Sequence, residues 1–64
     1  MIVNGKNIDY KEGITVENLL DKLDLNMDKV VVEVNLNIIS KENYSDILLN
    51  KEDKIEIISF VGGG

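Results

Sequence analysis

A single amphipathic stripe, with strand patterns on both sides of it, most constrains what this chain can fold into. Its apolar positions follow the i, i+3, i+4, i+7 spacing of a two-turn helix: Val16, Leu19, Leu20 and Leu23. Thr15 precedes the stripe as a candidate N-cap, and Asn18 stands where a capping box would have Glu or Gln, so a full box is not expected. A helix with one apolar face has to bury that face against another layer.

Strand patterns surround the helix. Asn4-Gly5 lies between two strand-like runs in residues 1–10 and predicts a β-hairpin with a type I′ turn. Further strand patterns occupy residues 29–34, 38–39, 47–49 and 54–61. In the first of these, the valines at positions 30, 32 and 34 alternate with outward-facing residues. The sequence therefore predicts an α+β domain over residues 1–61, with a mixed sheet of four to five strands and the main helix on one face.

The residue types that the chain lacks exclude most catalytic chemistry. The 64 residues include no Cys, His, Pro, Trp or Arg, so they supply no thiol nucleophile, imidazole base, disulfide or usual zinc site. A net charge of −5 argues against phosphate-backbone binding. No apolar run approaches the ~20 residues of a membrane-spanning helix, and Met1 opens directly into a strand pattern. We expect a cytoplasmic protein that is not an enzyme and that binds no nucleic acid, membrane, metal or cofactor.

The final strand pattern places large apolar side chains on the side that should face solvent. Alternation puts these residues on one face: Lys54, Glu56, Ile58 and Phe60. Because the two charged side chains have to face water, Ile58 and Phe60 are predicted to be exposed and to form a docking surface. A bulge that turns them inward, or a barrel-like curl that covers them, is the alternative.

The chain ends in Gly62-Gly63-Gly64, which predicts a flexible tail over residues 62–64. The α-carboxylate of Gly64 is a poor electrophile until transfer of AMP from ATP makes one oxygen a leaving group. The acyl-adenylate is then open to attack by sulfur or by an amine. A partner protein would have to supply the catalytic groups and use the ATP. A frayed end without function is the alternative.

Other polar positions are assigned structural roles. Residues 51–54 are interpreted as a charged turn, and Asn35 as a turn residue chosen for its backbone tolerance. Tyr10 and Tyr44 are predicted to pack at the edge of the core.

The order of these elements, with the last strand leading directly into glycines, resembles the ubiquitin-like β-grasp sulfur carriers, and among them the ThiS family of thiamin biosynthesis. The resemblance covers the whole chain, through residues 1–6, 15–20, 32–35 and 53–64. The last segment, which ends in Ser59-Phe60-Val61-Gly62-Gly63-Gly64, is the most specific. Two turns depart from the common pattern, at residues 35–41 and 51–53, and leave open their geometry and a partner contact at Lys41.

The resemblance implies a β-grasp fold and a set of partners. A ThiF-like adenylyltransferase would activate Gly64, a cysteine desulfurase route would deliver sulfur, and the resulting thiocarboxylate would donate it to a ThiG-like thiazole synthase. Gly62 and Gly63 would thread the partner's channel. Ile58, Phe60 and Val61 would contribute to docking.

Two other functions remain open at this point. One is a related carrier that supplies sulfur for molybdopterin, cysteine or tRNA thiolation. The other is a β-grasp interaction module that is never conjugated and whose glycine tail is incidental.

Overall fold

The regular structure of the chain consists of short strands and a two-turn helix. The computed structural model describes residues 1–60, so the predicted end of the domain at Val61 and the predicted tail at residues 62–64 lie outside the described residues. The strands and helix are β1 (Ile2–Val3), β2 (Lys6–Asn7), α1 (Val16–Lys22), β3 (Val30–Val34), β4 (Asn37–Ile39) and β5 (Lys54–Ser59). Two 3₁₀ turns, Met27–Lys29 and Lys41–Asn43, lie in the connections.

The five strands form one mixed sheet in the order β2-β1-β5-β3-β4. β1 and β2 pair antiparallel, as do β3 with β4 and β3 with β5, whereas β1 runs parallel to β5. The last strand in sequence is therefore the central strand of the sheet. This is a β-grasp arrangement, and the predicted α+β class and mixed sheet are confirmed.

The helix packs its apolar stripe against the inner face of this sheet. Val16, Leu19 and Leu20 are buried, and Leu23 is half-buried against the same core. β3 contributes Val30, Val32 and Val34, whose predicted inward orientation is confirmed, and β5 contributes Ile55 and Ile57. The core thus lies between α1 and the sheet, as the stripe predicts.

The start of the helix differs from the prediction. Thr15 is the N-cap as expected, and its Oγ1 accepts from the backbone N–H of Asn18 at 3.1 Å. The side chain of Asn18 also reaches back, and its Oδ1 accepts from the Thr15 N–H at 3.2 Å. The prediction that a capping box would be absent is wrong, because the amide oxygen of Asn18 accepts the hydrogen bond that a Glu or Gln side chain usually accepts in this motif.

Two expectations about the segment that precedes β5 need correction. Residues 47–49 were expected to form a strand, but only an isolated bridge between Thr15 and Leu48 is present. The buried Leu49 donates its N–H to the Ile14 carbonyl at 2.9 Å, so this segment pairs with the entry to the helix instead of joining the sheet. Tyr44 is fully within the core and not at its edge, and its carbonyl accepts from the Glu17 N–H at 2.9 Å.

An asparagine in each hairpin turn holds the central strand. Asn4 and Asn35 both have positive φ, and each side chain crosses to β5. Asn4 bonds both backbone groups of Ile57, with its Oδ1 accepting at 2.7 Å and its Nδ2 donating at 3.1 Å. Asn35 accepts from the Lys54 N–H at 3.0 Å. Each side chain therefore adds hydrogen bonds to β5 from the turn that follows one of its two neighbouring strands, β1 or β3. We call Asn4 and Asn35 the Asn clamps.

Asp53 completes the second clamp. Its carboxylate is buried and accepts from the Asn35 side chain and from the Asn50 N–H, both at 2.8 Å. Residues 51–54 are therefore more than a charged turn, and Asn35 is not present for backbone tolerance alone. The turn is closed by a buried carboxylate that links β3 to the start of β5.

The second hairpin turn carries strain that the first avoids. Both turns have positive φ at their two central residues, but the second residue is Gly5 in the first turn (φ 82°) and Leu36 in the second (φ 73°). A leucine in this region of φ is costly because its Cβ crowds the backbone. Since Leu36 is 89% exposed, burial gives little in return.

We therefore expect Leu36→Gly to stabilise the domain by about 1 kcal/mol, which at this size raises Tm by about 4–8 °C. Thermal unfolding followed by circular dichroism measures the change. Gly5→Ala is the matched control, and it should lower Tm because it introduces the same strain into the first turn. A lower Tm for Leu36→Gly would contradict the strain assignment.

Candidate functional site

β5 presents large apolar side chains on the face of the sheet opposite the helix. Ile58 is 52% exposed and Phe60 is 46% exposed, whereas Ile55 and Ile57 are buried against α1. The pairing with β3 is regular throughout, with Ile58 directly opposite Val31. The inward bulge considered as an alternative is therefore not observed, and the exposure predicted from alternation is found. Whether these side chains dock a partner remains a prediction.

The ladder between β3 and β5 continues to the last described residue. The Phe60 N–H donates to the Lys29 carbonyl at 3.0 Å, one position beyond β5. Ser59, which strict alternation places on the same face as Ile55 and Ile57, is exposed, although its partner on β3, Val30, is buried. Phe60 is thus fixed at the end of the central strand, next in sequence to Val61, the third predicted docking residue.

Lys41, for which a partner contact was left open, has a partner within the chain. Its Nζ forms an ion pair with Asp28, and both side chains are exposed. The hydrogen bond and the negative charge of Asp28 raise the pKa of Lys41 above its usual value. Of the residues that the structure describes, these two form the only ion pair.

Potential metal ligands are not gathered in one place in the part of the chain that the structure describes. In residues 1–60 no group of three or more His, Cys, Asp or Glu side chains is placed to hold a metal ion. The described carboxylates lie mostly in turns and on solvent-facing surfaces, without a histidine to act as a base. The predicted reactive terminus, Gly64, and the predicted tail residues, Gly62 and Gly63, lie outside the described residues. In the same part of the chain, no helix has the length and apolar character needed to cross a bilayer.

Comparison with known proteins adds the decisive observation. The family model described as the ThiS family matches residues 1–64, which is the whole chain. The chain belongs to the ThiS family of sulfur carrier proteins. The similarity to this family that the sequence indicated is therefore confirmed.

Individual relatives agree with this assignment. The ThiS-family chain is 43% identical over 63 residues to the sulfur carrier protein ThiS of Bacillus subtilis, covering 97% of this chain and 96% of that one. It superposes on the crystal structure of the thiamine biosynthesis protein (ThiS) of Geobacter metallireducens with a TM-score of 0.80 and 32% identity, covering 98% of this chain and 96% of the other. The β-grasp fold is shared over almost the full length.

A third relative is much longer. A thiazole synthase of Paramagnetospirillum magneticum is 41% identical over 64 residues, which is 100% of this chain but only 20% of that protein. This chain therefore spans about one fifth of the length of that relative.

The exposed face of β5 is predictable from the sequence, but the hydrogen bonds from Asn4 and Asn35 to β5 were not predicted. Asn4 and Asn35 were recognised only as turn formers, because a turn signal describes backbone conformation and not the reach of the side chain. Their common position, one residue after a strand that neighbours β5, was the available signal.

Proposed function

We propose that this chain carries sulfur as a C-terminal thiocarboxylate on Gly64 and donates it in thiazole formation for thiamin biosynthesis. The observation that carries the proposal is the family match over residues 1–64, which includes the three glycines at the end. The absence of His and Cys from the sequence supports a carrier that is acted on by other proteins.

The chemistry begins at the α-carboxylate of Gly64. One carboxylate oxygen attacks the α-phosphorus of ATP and pyrophosphate leaves, which gives an acyl-adenylate. Hydrosulfide can attack the acyl carbon directly and displace AMP. Alternatively, a persulfide attacks the acyl carbon and displaces AMP, and a thiol then reduces the acyl disulfide that has formed. The product is a thiocarboxylate. Its sulfur is a stronger nucleophile than the original oxygen and can attack an electrophilic carbon of the acceptor.

Each step needs a partner with groups that this chain lacks. A ThiF-like adenylyltransferase would bind ATP and Gly64, and a cysteine desulfurase route would provide the sulfur. Gly62 and Gly63 would enter a narrow channel because they carry no Cβ atoms. A ThiG-like thiazole synthase would receive the sulfur, and the similar segment within the thiazole synthase of P. magneticum supports this branch over other sulfur-transfer routes.

Intact mass spectrometry tests the proposal directly. The purified chain is incubated with ATP, its adenylyltransferase and a sulfur donor. We expect the mass to show replacement of one oxygen by sulfur, and we expect loss of this change when ATP is omitted. An unchanged mass under conditions that modify the B. subtilis carrier would favour an interaction module that is never conjugated.

Phe60→Asp should weaken partner binding much more than folding. Phe60 is half exposed at the end of β5, so its replacement costs the fold little, whereas an apolar side chain at the centre of an interface typically contributes more than tenfold in affinity. Calorimetric titration with the adenylyltransferase and thermal unfolding measure the two effects.

Leu48→Asp is the matched control, because Leu48 is also exposed, at 64%, but pairs near the entry to the helix. It should leave affinity unchanged within about twofold. Severe unfolding of Phe60→Asp would instead assign Phe60 to the core.

A further inference from the structure

Two glutamates lie directly opposite each other in the middle of the outer sheet face. The register of β3 and β5 pairs Glu33 with Glu56, on the face that does not contact the helix. In such a pair the Cβ atoms are about 4.5–5.5 Å apart, and like charges at this position destabilise a sheet. The pair is therefore not explained by the stability of the isolated domain.

Neither glutamate of this pair has a lysine of the chain within ion-pair distance. Within residues 1–60 neither glutamate takes part in an ion pair, and residues 61–64 contain no Lys or Arg. Lys54 precedes Glu56 by two positions on the same face, yet its ammonium group is not within ion-pair distance of either carboxylate. The two negative charges are left for a cation from elsewhere.

Apolar side chains lie next to the Glu33–Glu56 pair on the outer face of the sheet. On β4, Ile38 is 70% exposed and lies directly opposite Glu33 on the side away from Glu56. The next outward-facing pair along β3 and β5 is Val31 with Ile58. A protein that covered this face would remove water from both carboxylates while burying apolar surface, so a cation placed there would form a strong charge-assisted hydrogen bond.

The position of Glu33 and Glu56 on β3 and β5 indicates which kind of protein could bind them. Residues 61–64 separate Phe60 from the carboxylate of Gly64 and span at most about 14 Å when fully extended. Any protein that acts on Gly64 must therefore lie close to this end of the sheet. A site that holds both ATP and a carboxylate has to be rich in cations, and its rim is suited to receive an acidic surface.

We propose that Glu33 and Glu56 together receive an arginine side chain of the protein that adenylates Gly64, while Ile38 and Ile58 pack around it. Arginine fits better than lysine because its planar guanidinium can donate to two carboxylates at once and is more weakly hydrated. This inference rests on the proposed function and names the surface by which the activating partner is recognised.

The test removes both charges without changing side-chain shape. The double variant Glu33→Gln/Glu56→Gln is compared with Glu12→Gln/Glu52→Gln. Both control glutamates are exposed and line a surface depression with Tyr10 and Asn50. Each double variant removes two negative charges, so the two change the net charge equally. Pyrophosphate release by the adenylyltransferase is measured over a range of carrier concentrations at low and high salt.

We expect the sheet variant to lower kcat/KM by about tenfold or more, with kcat nearly unchanged and a weaker salt dependence. The control should change kcat/KM less than about threefold. Thermal unfolding should show the sheet variant to be at least as stable as the parent chain, because the repulsion is removed.

Three results would overturn the inference: an unchanged kcat/KM, an equal loss in the control, or a loss confined to sulfur donation with adenylation intact. Its failure is distinguishable from failure of the proposed function. If the parent chain itself is not adenylated, the function is wrong; if the parent is adenylated and the sheet variant is adenylated equally well, only the docking inference is wrong.

Discussion

Removal of Gly64, or amidation of its α-carboxylate, should abolish sulfur loading completely while Tm stays unchanged. The proposed reaction needs a carboxylate oxygen at this position, and an amide cannot attack ATP to form the acyl-adenylate. The described core residues lie between Val3 and Ile57, so the change should not reach them. Intact mass spectrometry measures loading, and thermal unfolding of the same samples measures stability.

Gly64→Ala separates the requirement for a carboxylate from the requirement for a slender tail. This variant keeps the α-carboxylate but adds a Cβ, so it should be loaded more slowly and still reach the thiocarboxylate mass. Equal sulfur transfer by the amidated chain would show that the reactive group is not at Gly64. A marked loss of Tm on deletion would show that the tail is packed against the domain.

Asp53→Ala should be the most destabilising change to a charged residue in this chain, at about 2–4 kcal/mol. Its buried carboxylate accepts from the Asn35 side chain and the Asn50 N–H, and the substitution leaves both donors unpaired. A domain of 64 residues has a total stability of about 3–10 kcal/mol. Urea unfolding followed by circular dichroism should therefore show a large fall in the midpoint.

Neighbouring substitutions test whether the loss arises from this network. Glu52→Ala removes an adjacent but exposed carboxylate and should change stability by less than about 0.5 kcal/mol. Asn35→Ala combined with Asp53→Ala should cost less than the sum of the two single variants, because both remove the same hydrogen bond. Additive losses would contradict a shared network.

The sequence predicts this fold wherever a pattern reports burial. The alternating valines of β3 and the spacing of α1 give the two faces of the core because burial imposes a period on the sequence. The exposure of Ile58 and Phe60 follows from the same alternation, since Lys54 and Glu56 fix which face of β5 meets water.

Contacts between side chains distant in the sequence could not be predicted in this way. Asn4 bonds Ile57 across 53 positions, and Asp53 reaches Asn35 across 18. A local pattern gives the turn in which each residue lies but not the strand that passes beside it. The Glu33–Glu56 pair likewise appears only when the register of β3 and β5 is known. For residues 47–49, apolar composition indicated a strand, but tertiary pairing with the helix entry determined the structure.

The place of β5 between two neighbours also determines how the domain bears mechanical load. A protein that grips the C-terminus and pulls would draw the central strand along its own axis, so the backbone bonds to β1 and β3 and the side chains of Asn4 and Asn35 would resist together in shear. A strand at the edge of the sheet could instead be peeled away one bond at a time. A pull on the C-terminus should therefore unfold this domain less readily than it would a domain whose last strand lies at the edge of the sheet.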